Sequence, residues 1–418
     1  MNKLIDIERV TLQPLFLKIF TYRHLFFGAY ALNSLIISFL IVCCGLFGQF
    51  QISSYLSIAQ SFSMIFFAVF SMNLRTLILS RNEEMVQKYI FLRFLFSPFF
   101  IVIAYLFSIT QDNWLFVFLI ALKRVLDWIE EPRLCLAEKN NDYRYLKLNL
   151  LVNVLGLFFS IFFLYFNQTY FIKFICIWIF ASILLNFRFN TIYLNKTIKY
   201  FKKSSIKNYV FFQKKNLEHY LNILSQIMLA LVTFLLRFLI IKVNGLDKAG
   251  IYFSAFAVIS FFPTFLVSIN GPSFFFHNKK NKFNNFTFTH KIFLIFPILI
   301  LVYILISLSV MSNLSYQKLL FLHTILISFF AGYFLYFSQM QRLYLISYHN
   351  ALKTHLIDIW ISIYCFFIFG LCVLFKLSIL LSPFLFLITS FVSFLGYLFF
   401  GKGLSFKYLG RFRQNSQE

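Results

Sequence analysis

The residues with the clearest chemical potential are charges set inside an apolar stretch at 113–136. Lys123, Arg124, Asp127, Glu130 and Glu131 all fall within it. Lys123 and Asp127 are spaced i,i+4, and Arg124 and Asp127 are spaced i,i+3, so on a helix they share one face. Phe116, Leu119, Val125, Leu126 and Ile129 supply the other face. An ionisable group at bilayer depth is costly, and it faces a wet cavity, a partner or a substrate path. This stretch ends near Pro132 and Arg133. Lys123 and Arg124 then lie about 14 Å from that end, close to the midplane, at 1.5 Å per residue. Two readings follow. The pair could line a path for an anion, with Asp127 orienting and partly neutralising it. It could equally be a self-satisfied ion network that locks helices together.

Arg237, Arg75 and Arg93 are the other embedded cations. Arg237 precedes Ile241 and Lys242 at the outer end of its stretch, where it either lines a cavity or reaches outward. Arg75 and Arg93 lie near cytoplasmic ends, where snorkelling to the headgroups is the ordinary expectation. Asn33, Asn222, Gln226 and His323 could line a cavity or make interhelical hydrogen bonds. His355 and Asp358 are placed to form a local pair, with a proton relay as its functional reading. Pro98, Pro263, Gly271-Pro272 and Pro297 interrupt or end apolar runs, and Pro263 could act as a hinge.

Enzyme templates fail. The sequence has no GxxxxGK[ST] loop, HExxH pair or GxSxG elbow. Its six cysteines form no CxxC pair and no His/Cys cluster, so neither a disulfide framework, a metal site nor a cofactor is expected.

These residues need elements to hold them, and composition says which. Of 418 residues, 60% are hydrophobic and 12% charged, against about 25% charged in soluble domains. Continuous apolar runs exclude the period-two pattern of a membrane barrel. The expectation is an all-α polytopic membrane protein with about twelve transmembrane helices. The spans read 24–46, 55–79, 89–108, 113–136, 146–166 and 170–190 in the first half. In the second half they read 219–242, 249–275, 291–311, 316–338, 354–376 and 378–400. Lys and Arg clusters then fall on one side of the membrane, with both termini cytoplasmic. The net charge of +24 is thereby assigned to topology rather than to nucleic acid. The first 23 residues, with Asp6, Glu8, Arg9 and Pro14, do not read as a cleaved leader.

A basic loop at 191–218 divides the chain into two six-helix units, 1–215 and 216–418. The loop could lie on anionic lipid or dock a cytosolic partner. The halves match at one fixed offset: Gly48 with Gly245, Tyr55 with Tyr252, and Ser57 with Ser254. Ser63 with Ser260, Ser71 with Ser268 and Asn73 with Asn270 continue the match. Both segments occupy the same place and orientation in their half. That implies two bundles related by a pseudo-two-fold axis along the membrane normal, with a binding site between them.

The stretch Leu236-Arg237-Phe238-Leu239-Ile240-Ile241, then Asn244-Gly245, then Ala249-Gly250-Ile251-Tyr252-Phe253-Ser254-Ala255, carries a resemblance. It resembles the start of the second half in polysaccharide flippases of the multidrug/oligosaccharidyl-lipid/polysaccharide exporter superfamily, above all the O-antigen type. There, a charged pair with aliphatics precedes a Gly-containing loop and Gly-Ile-Tyr-x-x-Ala. Gly271-Pro272 also falls where that family often ends this span. Leu236 departs from the pattern, because an acidic residue is expected there. The stretch 24–46 holds no carboxylate, which is unlike the drug-exporting relatives.

The resemblance implies a flippase that moves undecaprenyl-pyrophosphate-linked oligosaccharide across a bacterial inner membrane by alternating access. Polysaccharide polymerase and glycosyltransferase partners would be expected. Lys123, Arg124 and Arg237 would line its crevice, Arg75 would be an entry contact, and Asp127 would orient the cations. The alternatives are an exporter of drugs or a peptidoglycan precursor on the same fold, or a membrane glycosyltransferase or polymerase. The short outer loops argue against the last class.

Overall fold

In lipid every backbone polar group needs a partner within the protein, and helices provide it within one segment. The computed structural model is accordingly helical, and it describes residues 22–71, 83–140, 143–166, 170–185, 217–277, 316–348, 351–374 and 382–400. The first half contains α1 (Tyr22–Phe47), α2 (Phe50–Ser71), α3 (Glu83–Ile109), α4 (Trp114–Asn140), α5 (Tyr143–Phe166) and α6 (Tyr170–Leu185). The second contains α7 (Leu217–His277), α8 (Tyr316–Tyr348), α9 (Ala351–Leu374) and α10 (Ser382–Phe400). The span expected at 291–311, Arg75, and the basic loop through residue 216 lie outside the described residues.

Among the described residues, five helical stretches are long and apolar enough to cross a membrane: Arg144–Phe166, Leu221–Phe261, Tyr316–Arg342, Leu352–Cys372 and Ser382–Phe399. The second of these covers both arms of α7, which the sequence reads as two spans. The arms meet at Gly245, the one non-helical position within the run. α7 continues helically through Pro263. α4 also continues past its expected end, through Pro132 to Asn140.

Interior prolines leave a carbonyl four residues back without its helical N–H, and at Pro98 and Pro132 a side chain supplies the substitute. Pro98 frees the Phe94 carbonyl, which accepts from Ser97 Oγ at 2.9 Å. Pro132 frees the Trp128 carbonyl, which accepts from Arg93 Nη1. Pro263 frees the Ile259 carbonyl, and α8 brings Gly332 so close that a Cβ there would lie 3.1 Å from that oxygen.

α3 shows how the helices sort their faces. Arg93, Ser97, Phe100, Ala104 and Ser108 are buried, whereas Leu95, Phe99, Val102 and Leu106 are exposed. Both series follow helical spacing, but the polar residues point inward and the apolar ones outward. That reverses the pattern of a water-soluble helix and suits a lipid exterior.

Two buried clusters organise the halves. Ile36, Leu40, Leu56, Phe116, Ile120, Phe171 and Trp178 anchor the first. Leu236, Tyr252, Phe256, Ile357, Ile361 and Tyr397 anchor the second. The halves join where α2 meets the second arm of α7. Ser53 Oγ donates to the Gly250 carbonyl at 3.2 Å, and Ser54 Oγ donates to the Leu246 carbonyl at 2.6 Å. Ser254 Oγ donates to Ser53 Oγ at 2.7 Å. A Cβ on Gly250 would lie 1.8 Å from the Phe50 oxygen, so only glycine fits this approach.

Two of the glycines matched at the fixed offset share a backbone conformation. Gly48 and Gly245 both adopt positive φ, at 76° and 75°, and each breaks the chain before the next helix. The same offset, 197 residues, separates Ser53 from its partner Gly250.

Candidate functional site

A cavity of about 330 Å³ opens beneath this junction. Ser38, Ile41, Ser57 and Gln60 of α1 and α2 cap one side. The rest of its described lining comes from α7, α8, α9 and α10. Two cations belong to it, Arg237 and Arg342, and its described lining includes no carboxylate. Apolar side chains such as Val232, Phe253, Phe256 and Phe386 alternate with Thr233, Ser338, Gln339, Thr389 and Ser393. The volume is at the low end for ligand sites.

Arg237 lies on the first arm of α7, on the helical face that includes Val232, Leu236 and Ile240. Its Nη1 crosses to the other half, donating to the Ser57 carbonyl at 2.6 Å and to Gln60 Oε1 at 3.3 Å. Both acceptors are neutral. Gln60 is held from its other end, where Nε2 donates to Ser38 Oγ at 2.8 Å.

Arg342 closes the opposite wall and is neutralised. It grips Asp358 of α9 bidentately, with Nε at 3.1 and 3.2 Å and Nη2 at 2.9 Å from the carboxylate oxygens. The Tyr397 hydroxyl also donates to Asp358 Oδ1. Asp358 is fully buried, while the Arg342 side chain remains 18% exposed. The local His355–Asp358 pair expected from spacing is not formed. Arg342 offers the carboxylate a two-pronged, charged partner, and His355 Nδ1 instead lies 3.2 Å from Ser225 Oγ.

The charges of α4 form a separate centre inside the first half. Lys123 pairs with Asp127, donates to Asn153 Oδ1 at 3.3 Å and lies 5.0 Å from the Trp178 ring. Arg124 Nη1 is 3.6 Å from Asp127 Oδ2 and donates to the Asn33 carbonyl at 3.2 Å, with its guanidinium over Phe67. Tyr145 donates to Glu130 at 2.6 Å. Lys123 is 1% exposed.

The structure thus separates the residues singled out by sequence. Arg237 lines the cavity; Lys123, Arg124 and Asp127 are sealed among α1, α2, α4, α5 and α6. Arg93 does not snorkel. It is wholly buried, 2.8 Å from Glu131, because the carbonyl freed by Pro132 and that carboxylate both draw it inward. Asn222 and Gln226 are absent from the cavity lining, and His323 is exposed. Sequence reasoning missed Gln60, Arg342 and Tyr397. Arg342 lies beyond the expected span end at 338, where a cationic loop is expected, yet α8 runs to Tyr348. The only available signal was the pairing of one Arg with one Asp in successive apolar helices.

No protein-family model matches the chain, and no curated protein matches it. Solved structures do. The described architecture is all-helical, with helices long and apolar enough to cross a membrane. It is similar to a MATE protein crystallised in the straight conformation, with a TM-score of 0.55 and 10% identity, over 91% of this chain and 95% of that one. It is also similar to a multidrug resistance MATE family transporter of the MOP superfamily in its outward-facing conformation. That match has a TM-score of 0.53 and 11% identity, over 90% of this chain and 93% of that one. The fold is therefore that of these MATE structures.

Proposed function

We propose that this protein is an exporter that works by alternating access, and that its cargo is a lipid-linked oligosaccharide carrying a pyrophosphate. The observation that supports this reading is the charge of the cavity. Arg237 and Arg342 face into it, and its described lining has no carboxylate. Asp358 cancels Arg342, but the acceptors around Arg237 are neutral, so its charge remains for an occupant. A compact phosphate anion gains charge-assisted, bidentate bonds from such a group. A cationic drug would meet only repulsion.

Crossing hydrocarbon unaided is prohibitive for such a headgroup. The cavity has room for a pyrophosphate but not for a glycan, so transport requires the halves to part while the isoprenoid tail stays in lipid. In this reading the membrane is the bacterial inner membrane, with both termini cytoplasmic. Arg75 is an entry contact. Lys123 and Arg124, oriented by Asp127, meet cargo only in a state where the first half opens.

The test is transport into vesicles reconstituted with the purified protein, using a fluorescent undecaprenyl-pyrophosphate oligosaccharide and an impermeant quencher. Sidedness should change with the native chain and fall at least about tenfold in Arg237→Gln, the loss expected from removing one charged hydrogen bond. Movement of a cationic dye that is indifferent to Arg237, with no movement of the sugar lipid, would replace this reading with a drug exporter.

A further inference from the structure

We infer that Arg237 is a latch between the two halves that an anionic headgroup releases, so that binding cargo itself unlocks the junction. This rests on the reading above that the cargo is anionic. One guanidinium nitrogen ties α7 to α2 through the Ser57 carbonyl and Gln60 Oε1, and Gln60 extends the tie to Ser38 of α1. Among the described residues, Nε and Nη2 of Arg237 have no protein partner. Beside the latch, the junction is closed by neutral contacts: Ser53 with Gly250 and Ser254, and Ser54 with Leu246.

The two acceptors hold Arg237 weakly for its charge. Ser57 lies within α2, so its carbonyl is shared with a helical N–H. Gln60 offers a neutral amide. A phosphate oxygen pair is a better match, because it is charged and fits the guanidinium fork. To present that fork, Arg237 must turn Nη1 away from Ser57. The unlatched state then binds the anion more tightly than the latched state does. Such differential affinity is what a ligand needs in order to shift a conformational equilibrium. Neutral or cationic molecules lack it, so the device selects cargo as well as responding to it.

The test uses the full chain in detergent with Ser53→Cys and Ser254→Cys, each single variant serving as a control for the native cysteines. The rate of oxidative cross-linking, read by mass spectrometry, reports closure of the junction. Inorganic pyrophosphate, against chloride at equal ionic strength, should slow it about threefold or more by favouring the open state. In Arg237→Gln the rate should no longer respond. Gln60→Glu, which keeps Arg237 but gives it a carboxylate, should also abolish the response and hold the junction closed. It keeps the argument testable if Arg237→Gln fails to fold.

An unchanged rate in the native-Arg237 chain, or equal slowing in Arg237→Gln, overturns the latch. The vesicle assay separates the two ideas. Arg237-dependent sugar-lipid transport without a cross-linking response rejects the latch and keeps the cargo. A cross-linking response without such transport keeps the latch and rejects the cargo.

Discussion

Each half buries a charged network on its helices, and the two networks are used in opposite ways. In the first half, Lys123, Arg124 and Asp127 sit within about one turn of α4 and pair with one another, with Asn153, Asn33 and two aromatic rings completing the enclosure. In the second half, Arg342 reaches from α8 to Asp358 on α9, and its outer face remains at the cavity wall. A pair made within one helix can be closed off by its neighbours on every side. A pair made between helices spans the gap where a cavity forms. Similar chemistry thus serves cohesion in one place and a wet surface in the other.

That contrast can be broken by removing the acids. Asp127→Ala strands a buried ammonium and should cost about 3–5 kcal/mol, the usual price of an uncompensated buried charge. Asp358→Ala frees an arginine that can turn to the cavity, so its cost should be nearer about 1–3 kcal/mol. Thermal unfolding in detergent measures both, and a reversed order would end the distinction. Thiol labelling sharpens it. A cysteine at 342 should react with an impermeant maleimide much faster than one at 123, which is reached only when the first half opens; equal rates would show that the α4 centre is open to water in this conformation as well. The smallest effect belongs to Tyr145→Phe, which leaves Glu130 short of a bond at a cost of about 1 kcal/mol with sugar-lipid transport unchanged. Lost transport would give the α4 flank a role in the cargo path.

Much of the architecture was legible because it is local. The Lys123–Asp127 spacing predicted the observed ion pair. The Gly48–Gly245 match anticipated two equivalent turns. Arg93 and Arg342 were misplaced, because hydropathy reports how far a side chain lies from a helix end and not what waits beside it. Nothing in the sequence links Arg93 to a carbonyl released by Pro132 on another helix.

The sequence by itself determined helices and apolar exteriors, since lipid demands backbone closure segment by segment. Tertiary structure alone decided which cations meet the cavity. That choice depends on the rotation and approach of neighbouring helices, with Gly250 admitting the Phe50 backbone and Arg237 reaching Ser57 across the junction. Such contacts join residues nearly two hundred positions apart, and no local pattern encodes them.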